Sequence, residues 1–262
     1  MCKRLFLLQS VYLSDYNSLL MRFNTDKVES ISDLLVKLQG HIGNYTGPVW
    51  FRGQGDMNWS LVPKLMRLAQ QLPESHYFNR FKQDASFILN THPKSEFEWL
   101  FLMQHYGVST RLLDWSESPL VALYFACITE ENNDGALWVL LPTVLNLKSR
   151  YQSEYEFEIP SFDDEHLENY LPSTISREKK SSLLPMAAIA PRNSIRMQAQ
   201  KGVFTISHRE VIPIEIAGGD PDHIWKYQIP SDKKKLILDE LKLLGINRFH
   251  LFPELESLSF NF

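Results

Sequence analysis

Between Gln104 and Cys127 the chain reads QHYGVSTRLLDWSESPLVALYFAC. His105, Ser109, Thr110, Arg111, Asp114 and Trp115 fall within eleven positions, directly ahead of an apolar run. Arg111 and the two hydroxyls can hold an anion, Asp114 supplies a carboxylate, and Trp115 offers a face for stacking. A solvated loop has no use for two large aromatics and two leucines among its charges. A core segment does not ordinarily carry His, Arg and Asp together. This mixture predicts that something is bound here.

Two other places carry candidate groups. In VWFRGQ, Arg52 stands between Phe51 and Gly53. A guanidinium in apolar surroundings needs a carboxylate or a phosphate. Arg52 is therefore either an ion pair, with Asp114 as one partner, or a ligand contact, with Gln54 on the same strand face. Gly53 allows a ligand or another backbone to come close. In NSIRMQAQKGVFTI, Arg196, Gln198 and Gln200 alternate ahead of an apolar strand and could edge a cleft.

Each candidate has a structural alternative. Arg111 and Asp114 are three apart and can pair with each other. Asp114, Ser116 or Ser118 can cap the helix that follows, whose N-terminus also suits an anion. Trp115 can stack on a base or fill the core. His105 can be a hydrogen-bonded structural residue, and Gln104 and His105 gain weight only if they share a cleft with Arg52.

Other chemistries lack their signatures. No phosphate loop, dinucleotide fingerprint, H-E-x-x-H or G-x-S-x-G is present. The acidic run 163–168 reads as a solvated helix face, and GGDPDH as a turn, so no metal is expected. Cys2 and Cys127 are the only cysteines, which excludes a disulfide framework. Lys and Arg total 27 against 31 for Asp and Glu, a net charge of -4 that calls for no polyanionic partner. The N-terminal apolar run is too short for a signal peptide, and no run approaches a membrane span. A cytoplasmic protein without membrane contact is expected.

The elements that must position these groups follow from pattern and punctuation. Helical spacing runs over 26–39 with Gly40 as a stop, over 75–90, and over 96–106 behind a Ser95/Glu98 capping box and ahead of Gly107. Ser118-Pro119 opens a helix over 120–129 that is apolar nearly all round and therefore buried. Strands are expected at 49–54, centrally at 136–141, and as a hairpin at 202–206 and 211–216. A final helix runs from Ser231-Asp232 to Leu244 and closes at Gly245. Residues 150–182 are the least ordered candidate, and the tail is expected to pack Phe252, Leu255 and Leu258. With 262 residues, 44% of them hydrophobic, and no linker, the chain reads as one domain over 1–262, with its motifs at about 48–255 and 1–45 as a helical extension.

Taken in order, Phe51-Arg52-Gly53-Gln54, Trp59 with Leu61 and Pro63, the 104–127 block, Arg196 with Gln200-Lys201-Gly202-Val203-Phe204, and Leu251-Phe252-Pro253 resemble the FRG domain family. Its motif order is similar to that of ADP-ribosyltransferase-like folds. The resemblance implies an α+β fold with a mixed or antiparallel split sheet flanked by helices, holding NAD as substrate in a cleft. It implies Arg52 on the phosphate side, Thr110 and Trp115 at the nicotinamide-ribose end, and Gln200 where transferases carry Glu. Asp114 or Glu210 would then supply the missing carboxylate. Gln54, His105, Arg111 and Arg196 would complete the nucleotide contacts. The implied activity is ADP-ribosyl transfer or NAD glycohydrolysis, in a phage-defence or toxin setting. The alternatives are a non-catalytic module that senses a nucleotide or a nucleic-acid end, and a structural protein whose polar cluster is a buried network.

Overall fold

The computed structural model describes residues 26–254 apart from 69–71, 152, 154, 156, 179–181 and 193. Leu255 and Leu258 therefore lie outside the described residues, as does residues 1–25 of the expected N-terminal extension. The architecture is α+β, a six-stranded antiparallel sheet flanked by helices. The strands are β1 (Trp50–Gln54), β2 (Leu112–Ser116), β3 (Gly135–Leu140), β4 (Met186–Ala188), β5 (Gly202–Ile206) and β6 (Ile224–Ile229). Their spatial order is β4-β5-β2-β1-β3-β6.

The sheet is unevenly stitched. β1 pairs with β3 along its whole length, from Trp50 opposite Leu140 to Gln54 opposite Ala136. β2 pairs likewise with β5, from Leu112 opposite Ile206 to Ser116 opposite Gly202. Between β1 and β2 the register has the single pair Phe51 and Ser116. The central strands thus touch at one end and diverge beyond it.

The helices are α1 (Ile31–Ile42), α2 (Glu74–Ala85), α3 (Glu96–His105), α4 (Pro119–Cys127), α5 (Pro142–Lys148), α6 (Pro172–Arg177), α7 (Ile195–Ala199), α8 (Lys234–Leu243) and α9 (Arg248–Leu251). On one half of the sheet α1, α4 and α8 share a core with Phe51, Leu137, Val139 and Tyr227. On the other half, α3 packs Phe97, Leu100, Phe101 and Met103 over Leu112, Phe204 and Ile206. The opposite face is filled by Trp50, Trp115, Trp138, Leu113 and Leu140. Period-two alternation along β1 and β2 divides these clusters between the faces.

Local signals explain most helix ends. Ser118 accepts the Val121 amide N–H, and Pro119 occupies the first helical position of α4. Ser95 accepts the Glu98 N–H to open α3, and Gly107 takes φ +76 just past its end. Gly40 lies inside α1, and the stop is Gly43 at φ 56, whose N–H reaches Gln39 O.

Other expectations need correction or completion. Residues 211–216 are not a strand and form no hairpin with 202–206. Pro213 leads into a short 3-10 turn at Ile214–Ile216. The fully buried Glu215 accepts Ser60 Oγ at 2.9 Å and Leu61 N at 3.2 Å, which draws the segment off the sheet. The strands at 112–116, 186–188 and 224–229 carry polar or short sequences that periodicity did not flag, and sheet pairing forms them. The second helix stops at Ala85 rather than 90. Within 150–182, the least ordered candidate, a 3-10 turn at Glu165–Tyr170 places Leu167 and Tyr170 in the core, and α6 follows it.

Candidate functional site

Where β1 and β2 diverge, a cavity of about 360 Å³ opens. Its size falls at the lower end of the ~300–1,000 Å³ usual for ligand sites. Arg52 and Gln54 line it from β1, and Asp114, Trp115 and Ser116 from β2. α3 contributes Phe101, Gln104 and His105, and α4 contributes Ala122 and Phe125. Arg196 and Gln200 come from α7 and its C-cap, and Trp59 and Arg67 from the loop after β1.

Gly53 admits another backbone. A Cβ built on it would stand 1.8 Å from Ala122 O. A Cβ on Gly135, on β3, would likewise stand 2.6 Å from Ala126 O. The two glycines let α4 lie directly on the sheet, and this sets the wall that carries Phe125.

Among the described residues Arg52 is held by one hydrogen bond, from Nη1 to the backbone carbonyl of Asp114. It makes no ion pair with the Asp114 carboxylate. Its Nε is buried and has no hydrogen-bond partner among the described residues. Burial lowers its pKa, Asp114 opposes that effect and Arg67 adds to it. A guanidinium with an unspent buried donor beside a second arginine is a prepared anion contact.

Asp114 is exposed in the cleft and accepts Gln104 Nε2 at Oδ2, 2.7 Å away. It is the one carboxylate among the described residues lining the cavity. Glu210 is absent from that lining. The cations there are Arg52, Arg67 and Arg196, so the cleft is electropositive around a single acid.

The remaining candidates divide. Thr110 is fully buried and does not line the cavity. Its hydroxyl donates to Gln104 Oε1 at 2.6 Å. Arg111 also lies outside the cavity. Its Nε meets Glu74 Oε2 at 2.7 Å, Nη2 reaches Tyr170 O at 2.7 Å, and Nη1 reaches Ser207 O. Arg111 thus pairs with Glu74 and not with Asp114. Trp115 is 3% exposed, and its indole N–H donates to Thr205 Oγ1 at 3.0 Å, so it is chiefly core with one edge at the cleft. Gln54 turns inward, accepting Trp138 Nε1 at 2.7 Å.

The C-terminal segment closes one end. Gln200 Nε2 donates to Leu251 O at 3.0 Å, while Gln200 O accepts Ser116 Oγ at 2.7 Å. Arg196 lies over the Phe252 ring at 4.7 Å, and Phe125 meets the same ring edge-on. His105 Nε2 is 3.8 Å from Glu254 Oε1. Burial and Arg196 lower the His105 pKa, partly offset by Glu254.

Residues 47–135 match the model of the FRG domain family. Over these residues the chain carries an FRG domain. The match takes in β1, α3, β2 and α4, and hence Arg52, Gln104 and Asp114. Arg196 and Gln200 lie beyond it. No curated protein and no solved structure matches the chain. Among the described residues, no group of three or more His, Cys, Asp or Glu could hold a metal ion. No helix among them is long and apolar enough to cross a membrane.

Arg67 and Phe125 are cleft residues that sequence reasoning missed. Arg67 sits in a 3-10 turn without a periodic signal, and Phe125 looked like one more apolar position of a buried helix.

Proposed function

We propose that the cleft of this FRG domain binds NAD or a related nucleotide and breaks its N-glycosidic bond, by hydrolysis or by ADP-ribosyl transfer. The observation that carries this reading is that Arg52, with its buried unpartnered Nε, and the Asp114 carboxylate line one open cavity. The divergence of β1 from β2 resembles the split sheet of ADP-ribosyltransferase-like folds and supports the same reading. Arg52, Arg67 and Arg196 supply charge for a diphosphate, and Trp59, 41% exposed at the rim, supplies a stacking face.

In the proposed step the bond between ribose C1′ and the nicotinamide nitrogen breaks, and its electron pair leaves with nicotinamide. The oxygen of water, or a nucleophile on a target, bonds to C1′ and loses a proton. Asp114 steadies the positive charge that develops on the ribose, a role that a neutral Gln200 fills poorly. A role in phage defence or toxicity would follow from depletion of NAD or modification of a target.

The test is incubation with NAD, following nicotinamide and ADP-ribose by chromatography, for wild type, Arg52→Ala and Asp114→Asn. Release by the wild type that falls at least tenfold in both folded variants is expected. Absence of release from the wild type removes the enzyme reading.

One observation favours a second reading, a nucleotide sensor. The Gln200 amide is spent on Leu251 O and so is not free to orient a ribose hydroxyl. A sensor would show a thermal shift with NAD or ADP-ribose and no nicotinamide release.

A further inference from the structure

We infer that Gln104 is a positioning residue for the Asp114 carboxylate and that the buried Thr110 hydroxyl sets the orientation of Gln104. The inference rests on the proposed reading of the cleft for its catalytic consequence, but its geometry stands apart from it.

Three hydrogen bonds form a chain with a fixed sense. Leu112 N donates to Thr110 Oγ1 at 3.2 Å, Thr110 Oγ1 donates to Gln104 Oε1 at 2.6 Å, and Gln104 Nε2 donates to Asp114 Oδ2 at 2.7 Å. The Leu112 amide can only donate, so Thr110 accepts there and keeps its one proton for Gln104. That contact turns the Gln104 carbonyl toward Thr110 and its NH₂ toward Asp114. The reverse amide orientation would place two acceptors 2.7 Å apart at Asp114 Oδ2. Such a contact is repulsive unless the acid is protonated.

The consequence reaches into the cleft. Asp114 is exposed at the middle of β2, and an exposed carboxylate has free rotamers. Anchoring Oδ2 leaves Oδ1, with no partner among the described residues, as the atom presented to the cavity. Thr110 is 0% exposed and cannot touch a ligand itself, so its influence passes through Gln104. The QHYGVSTRLLD segment thereby places a donor on a helix, a switch residue in a loop and an acid on a strand.

Two measurements on the full chain test this. The first needs no turnover: the side-chain NH₂ signals of Gln104 are followed by NMR against pH together with the Asp114 carboxyl carbon. The two should titrate together in the wild type. Thr110→Ser should preserve that linkage, and Thr110→Val or Asp114→Asn should abolish it. Independent titration in the wild type, or an unchanged linkage in Thr110→Val, overturns the inference. The second is kcat and KM for nicotinamide release. Gln104→Leu and Thr110→Val should lower kcat on the order of tenfold to a hundredfold with KM little changed, as loss of alignment does. Thr110→Ser should restore kcat. Unchanged kcat in folded variants overturns the catalytic consequence. A wild type that shows the linked titration but releases no nicotinamide sinks the NAD-cleaving reading and leaves the positioning intact.

Discussion

Gly53 and Ala122 are in backbone contact: a Cβ on the glycine would stand 1.8 Å from the alanine carbonyl oxygen. The neighbour is helix backbone, which cannot swing aside as a side chain can. Gly53→Ala must lift α4 from β1 and pull Phe125 out of the cleft wall. A loss of about 3 kcal/mol or more is expected, a fall in Tm of roughly 10 °C. Calorimetry of the variant checks this, and an unchanged Tm would contradict the contact.

Arg111 ties three segments together through Glu74, Tyr170 O and Ser207 O. Arg111→Lys keeps the charge and loses the planar fork that reaches three directions. It should destabilise the fold by about 2–3 kcal/mol, the scale of leaving the buried carbonyls of Tyr170 and Ser207 without their charged donor. Because Arg111 is outside the cavity, ADP-ribose affinity per folded molecule should not change. Urea unfolding with calorimetric titration of the same sample separates the two effects.

His208 is buried, and its Nδ1 accepts the Leu183 N–H at 3.3 Å. Burial, with Arg111 and Arg209 nearby, lowers its pKa from 6.5 to about 4. The folded chain therefore binds fewer protons than the unfolded chain between these values. Stability contributed by the neutral imidazole is complete above the unfolded pKa of 6.5 and is lost as pH falls toward 4. Thermal midpoints of the wild type should drop through that window. His208→Asn should flatten the slope there, and an equal slope in both proteins would rule His208 out as the cause.

Arg67 adds a second positive charge beside Arg52 and disfavours the charged form of that neighbour. An anionic ligand relieves this repulsion, so Arg67 should matter more to binding than to stability. Arg67→Ala is expected to weaken ADP-ribose binding roughly fivefold, about 1 kcal/mol, with a smaller effect at high salt. Its Tm should hold or rise slightly. A loss of affinity that ignores salt would point to shape and not charge.

Local chemistry made several parts of the fold legible. Ser118-Pro119 announces α4, Ser95 announces α3 and Gly107 closes α3, because caps and left-handed glycines act within a turn of chain. The continuous apolar run at 136–141 marks a strand buried on both faces, and all six residues of β3, Gly135–Leu140, are buried. β2, β4 and β6 were not legible, since a strand with Asp114 or Lys226 in it gains its conformation from its neighbours. The 211–216 segment misled for the converse reason. It has strand-like residues, but Glu215 satisfies the loop at Ser60–Leu61 and holds the segment away.

For the cleft, the sequence by itself determined the cast: Arg52, Asp114, Arg196 and Gln200 are recognisable as polar groups set among apolar ones, and His105 lines the same cavity. Only the tertiary structure decided their assignments. Thr110 and Arg111 are adjacent to the best candidates in the chain yet end up buried, one behind Gln104 and one against Glu74. Arg67 arrives from a turn that no pattern singles out. The reason is physical: residue type reports what a side chain can bond to, while the divergence of β1 from β2 and the seating of α4 on Gly53 decide which partner it meets first.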